Sequence, residues 1–279
     1  METQTFANPE VLEFYKSLPF NYQDSVENQV KAIRSRDSVS AYPVLPPLLK
    51  KGVSVLEVGC GTGWLSNAIS FYYKSSVLGL DFNPVTIARA REVAQAMKLK
   101  PSFEVADLFV YQPNTLFDVV VSLGVLHHTD NCQAAVRRIC LDFVRPGGHV
   151  MIGLYHQYGR QPFLDHFQEM KKRGATEKEM LAQYRELHPL KDETHLMSWF
   201  RDQVLHPHET QHTLAEILPI LQETGMQLVS TSINRFQPIN SVEELLEEEI
   251  TYRDIAIQRL QENKYFPGFF VFLARKSGD

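Results

Sequence analysis

A turn of small residues and a series of acids at the ends of apolar runs carry the most legible chemistry in this chain. Val55-Leu56-Glu57-Val58-Gly59-Cys60-Gly61-Thr62-Gly63-Trp64-Leu65 reads as a strand, a glycine-rich turn and a helix start. Glycines at such a turn let the backbone bend tightly and let a ligand approach main-chain N–H groups with no Cβ in the way. Glu57 adds a carboxylate on the same strand. The second apolar run ends in Gly79-Leu80-Asp81-Phe82-Asn83. An ionised carboxylate there offers two acceptor oxygens to the two hydroxyls of a ribose; the competing role for Asp81 is a cap on the following helix. A third acid closes the next run, Val105-Ala106-Asp107-Leu108-Phe109, where it is either a ligand acceptor or an ordinary turn acid.

Histidine supplies the other chemistry, because its charge changes near neutral pH. His127 and His128 follow the fourth run in Leu123-Gly124-Val125-Leu126-His127-His128-Thr129, as a base, a polar wall or plain loop histidines. A second group, Tyr155-His156-Gln157-Tyr158-Gly159-Arg160, leaves the fifth run at its carboxyl end. Further on, Asp202, His206, His208 and His212 invite a metal reading, with His208 and His212 at i, i+4 spacing. Pro207 interrupts that segment and no H-E-x-x-H pattern is present, so no metal is expected.

The elements that must position these groups follow from changes in hydrophobic period. Apolar runs at 54–58, 76–80, 102–105, 117–122 and 149–154 have strand length, and helical stretches at 64–72, 85–97 and 131–144 separate them. Such alternation predicts a mostly parallel sheet with helices on both faces. Residues 1–50 read as an aromatic, proline-punctuated helical cap, with helices at 25–36 and 42–50. Residues 51–155 form the core. Residues 156–212 hold seven of the ten histidines and two amphipathic stretches, 163–173 and 177–187, and read as an inserted helical subdomain above the sheet. Residues 213–279 return to the core as a helix at 213–224 capped by Thr213, a strand at 226–236, a long acidic helix at 241–263 and a strand at 269–274.

The run Leu56-Glu57-Val58-Gly59-Cys60-Gly61-Thr62-Gly63 resembles the first motif of class I S-adenosylmethionine-dependent methyltransferases, and further positions match in order. The resemblance covers residues 54–154 well and the remainder loosely. It implies an α/β, Rossmann-like fold: a seven-stranded, mostly parallel sheet with an N-terminal helical arm and an inserted helical subdomain. It implies S-adenosylmethionine (SAM) as cofactor and S-adenosylhomocysteine (SAH) as product. Glu57, Gly59, Cys60, Gly61 and Gly63 would then face the methionine part, Asp81 the ribose, Phe82, Asn83, Asp107 and Leu108 the adenine, and Leu123 the strand-end wall. Tyr15 and the segment Leu18-Pro19-Phe20-Asn21-Tyr22 either fold over the pocket, with Tyr22 at the cofactor, or simply pack as an aromatic arm. The acceptor-side candidates are His127, His128, Tyr155, His156, Tyr158, Arg160 and His206, with His128 or His156 as the base if one is used. Methyl transfer from a sulfonium requires alignment and exclusion of water rather than a protein nucleophile.

Composition bounds the partners. Lys and Arg number 28 against 33 Asp and Glu, a net charge of −5, which weighs against an RNA acceptor because phosphate binding needs clustered cations. A small-molecule acceptor is therefore expected ahead of RNA or protein. A catalytically silent SAM-binding or scaffolding module is the competing class, since fold alone does not fix function. An NAD-dependent oxidoreductase is disfavoured, because the glycine spacing is G-x-G-x-G and a dinucleotide site needs G-x-G-x-x-G. The three cysteines form no CxxC pair, and no basic-apolar leader or membrane-length apolar run is seen, so a cytoplasmic protein is expected.

Overall fold

Branched aliphatic residues dominate 54–58 and 117–123, and these two runs form the parallel pair at the centre of a seven-stranded sheet. The computed structural model describes residues 9–22, 25–188 and 190–278; residues 1–8 of the expected cap and residue 279 of the last segment lie outside the described residues. The strands are β1 (Ser54–Val58), β2 (Ser76–Asp81), β3 (Ser102–Val105), β4 (Phe117–Leu123), β5 (Val144–Tyr155), β6 (Met226–Thr231) and β7 (Phe269–Lys276), in the order β3-β2-β1-β4-β5-β7-β6. The first five run parallel, and β7 lies antiparallel between β5 and β6. The chain winds from β1 outward to β3 and then returns to place β4 on the other side of β1. Strand order reverses there, which opens a crevice beyond the carboxyl ends of β1 and β4.

Side-chain alternation along β1 feeds two layers. Leu56 and Val58 pack with α5 (Cys132–Arg138) and α9 (Leu214–Glu223), whereas Val55 packs with α2 (Val26–Ser35), α3 (Trp64–Tyr72) and α4 (Pro84–Met97). Each fully buried aliphatic side chain of this kind contributes roughly 1.5–3 kcal/mol. Between β5 and α9 stand α6 (Gln157–Lys172), α7 (Glu177–Leu187) and α8 (Glu193–Val204), which bury Phe163, Phe167, Tyr184 and Phe200 among themselves. The amino-terminal α1 (Pro9–Ser17) lies along α8, where Arg201 donates to Ser17 Oγ at 2.7 Å. Among the described residues, no helix is long and apolar enough to cross a membrane.

Several elements differ from expectation for identifiable reasons. In place of a helix at 42–50 there are two 3-10 turns, Ser38–Ala41 and Pro46–Leu48, because consecutive prolines remove the N–H groups that an α-helix needs. The helix at 131–144 turns into a π-type turn at Ile139–Phe143, where the Lys276 ammonium donates to the carbonyls of Cys140 and Val144. The long acidic helix is two helices, α10 (Val242–Ile250) and α11 (Tyr252–Gln261), broken at Thr251, whose hydroxyl donates to the Glu248 carbonyl. The strand beginning at Met226 stops at Thr231, since Arg235 and Phe236 adopt left-handed backbone. Helices α1 and α8 were not anticipated.

Gly63 joins the glycine turn to α3 in left-handed conformation, φ +77°, and a Cβ there would lie 2.8 Å from the Ala90 Cβ of α4. Gly63→Ala is therefore expected to cost about 1–3 kcal/mol, read as a lower urea midpoint with an unchanged slope.

Candidate active site

The crevice is a cavity of about 760 Å³ walled by the turns that follow β1, β2, β3 and β4. Its roof comes from Tyr15, Phe20 and Asn21 of the arm and Trp199 of α8. Asn21 holds these parts together: its carbonyl accepts from Trp64 Nε1 at 3.1 Å and its side-chain oxygen from Trp199 Nε1 at 3.2 Å.

Two acids brace the turns they sit on. Asp81 Oδ2 accepts the Gly61 N–H at 2.8 Å and Oδ1 accepts the Asn83 N–H at 2.9 Å, tying the tip of β1 to the tip of β2. The cap on α4 is Asn83, through the Val85 N–H at 2.9 Å, so the alternative reading of Asp81 as that cap does not hold. Asn83 Nδ2 is buried in the wall without a partner. Asp107 Oδ1 accepts the Phe109 N–H at 2.8 Å, while Oδ2 is buried and unpartnered. Gly61 is left-handed at φ +50°, and the position its Cβ would take is open space. Glu57, Gly59, Cys60, Phe82, Leu108 and Leu123 also face the cavity. Burial pushes the Cys60 thiol well up from its usual range. Two members of the expected cofactor set stand outside the wall. Gly63 packs on Ala90, and Tyr22 is covered by the Arg89 guanidinium, 4.5 Å from its ring.

Of the seven acceptor-side candidates, only His128 lines the cavity. The others are consumed in the seam between β5 and the helices above it. His127 is wholly buried, and its Nδ1 accepts the Tyr155 N–H at 3.2 Å. Tyr155 lies under the Arg160 guanidinium, 4.1 Å away, and its hydroxyl reaches Asp202 at 3.3 Å. His156 caps α6 through the Gly159 N–H and pairs with buried Glu249 at 2.9 Å, which removes it as a base for this cavity. Tyr158 is half-buried against the His156 ring. Arg160 has no exposed surface; its guanidinium is taken by Glu209 at 2.7 and 2.9 Å and by the Gln203 carbonyl at 2.8 Å. His206 stacks on His128 with ring centres 3.8 Å apart.

His128 donates from Nδ1 to the His208 carbonyl at 2.9 Å, which leaves the Nε2 lone pair free; Nε2 is buried without a partner. Burial pushes its pKa down to about 4, so the ring is uncharged at neutral pH. Sequence reasoning missed Arg36 and Trp199 in the wall. Arg36 has no ion-pair partner among the described residues, and only its place just after α2 hints at a role.

Comparison with known proteins agrees with this geometry. The family model described as methyltransferase domain matches residues 49–215. A phosphoethanolamine N-methyltransferase of Arabidopsis thaliana is 35% identical over 127 residues, 45% of this chain and 26% of that protein. A ubiquinone biosynthesis O-methyltransferase of Aliivibrio fischeri is 33% identical over 101 residues, 36% of this chain and 42% of its own length. The chain thus spans about a quarter of the plant relative and under half of the bacterial one. Among solved structures, magnesium protoporphyrin IX methyltransferase from Synechocystis PCC 6803 with bound SAH has a TM-score of 0.52 at 17% identity, covering 95% of this chain and 93% of that one. PKMT2 from Rickettsia typhi has a TM-score of 0.58 at 16% identity, covering 84% and 52%. At such identities these two structures establish a shared fold.

Glu57 gives the site a pH signature. Burial raises its carboxyl from 4.5 to about 8, with the Ser66 hydroxyl hydrogen bond offsetting part of the rise. Between those pH values the folded protein keeps a proton that the unfolded chain releases, so stability falls as pH rises, by up to about 1.4 kcal/mol per unit. Glu57→Gln should remove this loss: the unfolding free energy of the variant relative to wild type is expected to climb from pH 5 to 8 and then level off. Urea titrations at each pH measure it.

Proposed function

This chain belongs to the methyltransferase-domain family, and from that premise we propose that it transfers a methyl group from S-adenosylmethionine to a nucleophilic atom of a small metabolite. The observation that carries the reading is the unsatisfied acceptor Asp107 Oδ2, buried in the wall of a nucleoside-sized cavity at the point where strand order reverses. A buried acceptor without a donor is costly, and an adenine amino group satisfies it.

The remaining residues fit the same cofactor. Asp81 already accepts two N–H groups, and a carboxylate has further lone pairs for two ribose hydroxyls. Leu108 and Phe82 offer apolar surface to the purine, and Gly61 leaves room for close main-chain approach. Arg36, with no ion-pair partner among the described residues, supplies a cation for the carboxylate of the methionine part, and Glu57 a carboxyl that ionises opposite its ammonium. When bound, the cofactor supplies a methyl group on a sulfonium that departs as a neutral thioether. Tyr15, Phe20 and Trp199 cover the site and exclude water. His128, uncharged and with a free Nε2 lone pair, accepts the proton of the nucleophile.

A small acceptor is favoured because Tyr15, Phe20 and Asn21 of the arm and Trp199 of α8 wall the cavity, and because the named relatives act on phosphoethanolamine and in ubiquinone biosynthesis. Three unbridged cysteines, Cys60, Cys132 and Cys140, support a reducing, cytoplasmic setting.

Calorimetry tests the cofactor directly. SAM and SAH should bind and NAD should not; failure of both adenosyl ligands would reject the reading. Asp107→Asn keeps an acceptor for Phe109 but turns a donor toward the purine. It should weaken SAM binding about tenfold or more, with apo stability within about 0.5 kcal/mol of wild type. Proton NMR of the His128 ring should show a titration midpoint near 4, and a midpoint near 6.5 would remove the basis for an uncharged base.

A further inference from the structure

Resting on the methyl-transfer reading, we infer that Gln29 is a positioning residue for the cofactor, acting through the glycine turn whose shape it fixes from α2. Its side chain is buried, at 1% exposure, and Nε2 donates to the Thr62 carbonyl at 2.9 Å. The amide stands this way round because its oxygen in the same place would meet another acceptor. Residue 29 opens a stripe along α2 that continues at Ala32, Ile33 and, just past the helix, Arg36, the spacing of one helix face. All three of those residues line the cavity. One helix thus walls the crevice and grips the turn that borders it.

What Gln29 holds is the closing peptide of the turn. The Gly63 N–H donates to the Cys60 carbonyl at 2.8 Å, which closes a four-residue turn over Cys60, Gly61, Thr62 and Gly63. The Thr62 carbonyl belongs to the same peptide unit as that N–H, so the unit is held at both ends, by Cys60 on one side and by Gln29 on the other. A planar peptide gripped in this way cannot rotate about its flanking bonds without breaking a hydrogen bond. Such restraint is needed because Gly61 and Gly63, both left-handed, tolerate many backbone conformations. Other N–H groups of the turn are tied to the tip of β2: Gly59 and Cys60 donate to the Leu80 carbonyl and Gly61 to Asp81. Gln29 adds a restraint from outside the sheet.

Loss of the Gln29 donor would leave a buried carbonyl without a partner and free the closing peptide to tilt. Gly61 would move with it, and in the proposed binding mode Gly61 is where the wall gives the methionine part of the cofactor close main-chain access. The ligand-free protein would then sample several turn shapes, and binding would carry the cost of selecting one. Residue type counts as much as place. An asparagine is one methylene short of the reach, and an ionised glutamate has no proton to give.

Calorimetry with SAH and amide hydrogen exchange, both on the intact protein, test the assignment. Gln29→Met, which keeps the length and loses the donor, should weaken SAH binding about tenfold or more and speed exchange of the Gly63 amide in the ligand-free protein. Ile220→Ala, buried in α9 and outside the cavity wall, is the comparison for a merely structural loss: its urea midpoint should fall with SAH affinity unchanged. Wild-type SAH affinity in Gln29→Met, or a loss no larger than that in Ile220→Ala, would overturn the inference and leave the methyl-transfer reading standing. Failure of SAH to bind the wild-type protein would overturn the reading and the inference together. Should Gln29→Met not fold, Gln29→Ala, which admits water to the Thr62 carbonyl, is held to the same criteria.

Discussion

A guanidinium withdrawn wholly from water must find its counter-charge and acceptors inside the protein, and Arg160 imposes that demand where β5 enters the helical segment. The rings of nearby Tyr155 and Phe163 lie against its faces, while its charge and hydrogen-bond partners, Glu209 and Gln203, are distant in sequence. Meeting them draws the stretch after α8 down onto the end of β5, where His212 donates its N–H to the Tyr155 carbonyl and Thr210 to that of His127. His206 and His208 arrive beside His128 as a consequence. The buried pair is thus better understood as fixing a register than as a source of net stability.

The cofactor end is organised by a different kind of bond. Asp81 spans the tips of β1 and β2 through main-chain N–H groups, so the glycine turn has its shape before any ligand enters. Preorganisation of this type lowers the ordering cost of binding. Burial raises the Asp81 carboxyl from its usual range, and the Asn83 and Gly61 N–H groups pull it back toward the ionised form. The brace therefore opposes the loss of that charge to burial.

Local signals made this half of the site legible in the sequence. Glycine spacing, the acids at 81 and 107 and the period-2 runs each lie within a few residues of the structure they specify, and β1, β3 and α3 have their expected bounds. The acceptor half was not legible in the same way. Tyr155, His156 and Arg160 follow a strand end that points toward the crevice, yet their partners are Asp202, Glu249 and Glu209, between 47 and 93 residues away. No periodicity records such pairings. Trp199 and Arg36 were missed for the related reason that helix α8 and the end of α2 look, residue by residue, like ordinary amphipathic surface.

Charge links the two halves. The acidic side chains at 57, 81 and 107 stand on one side of the cavity, and His128 with His206 behind it on the other. In the proposed reaction a protonated imidazole at 128 would repel a cationic sulfur in the cavity and would have no lone pair for the proton of the nucleophile. Burial answers both by holding His128 near 4 and His206 near 3, far below neutral pH. The dry seam that Arg160 enforces is therefore what keeps the His128 ring uncharged in the cavity wall at neutral pH.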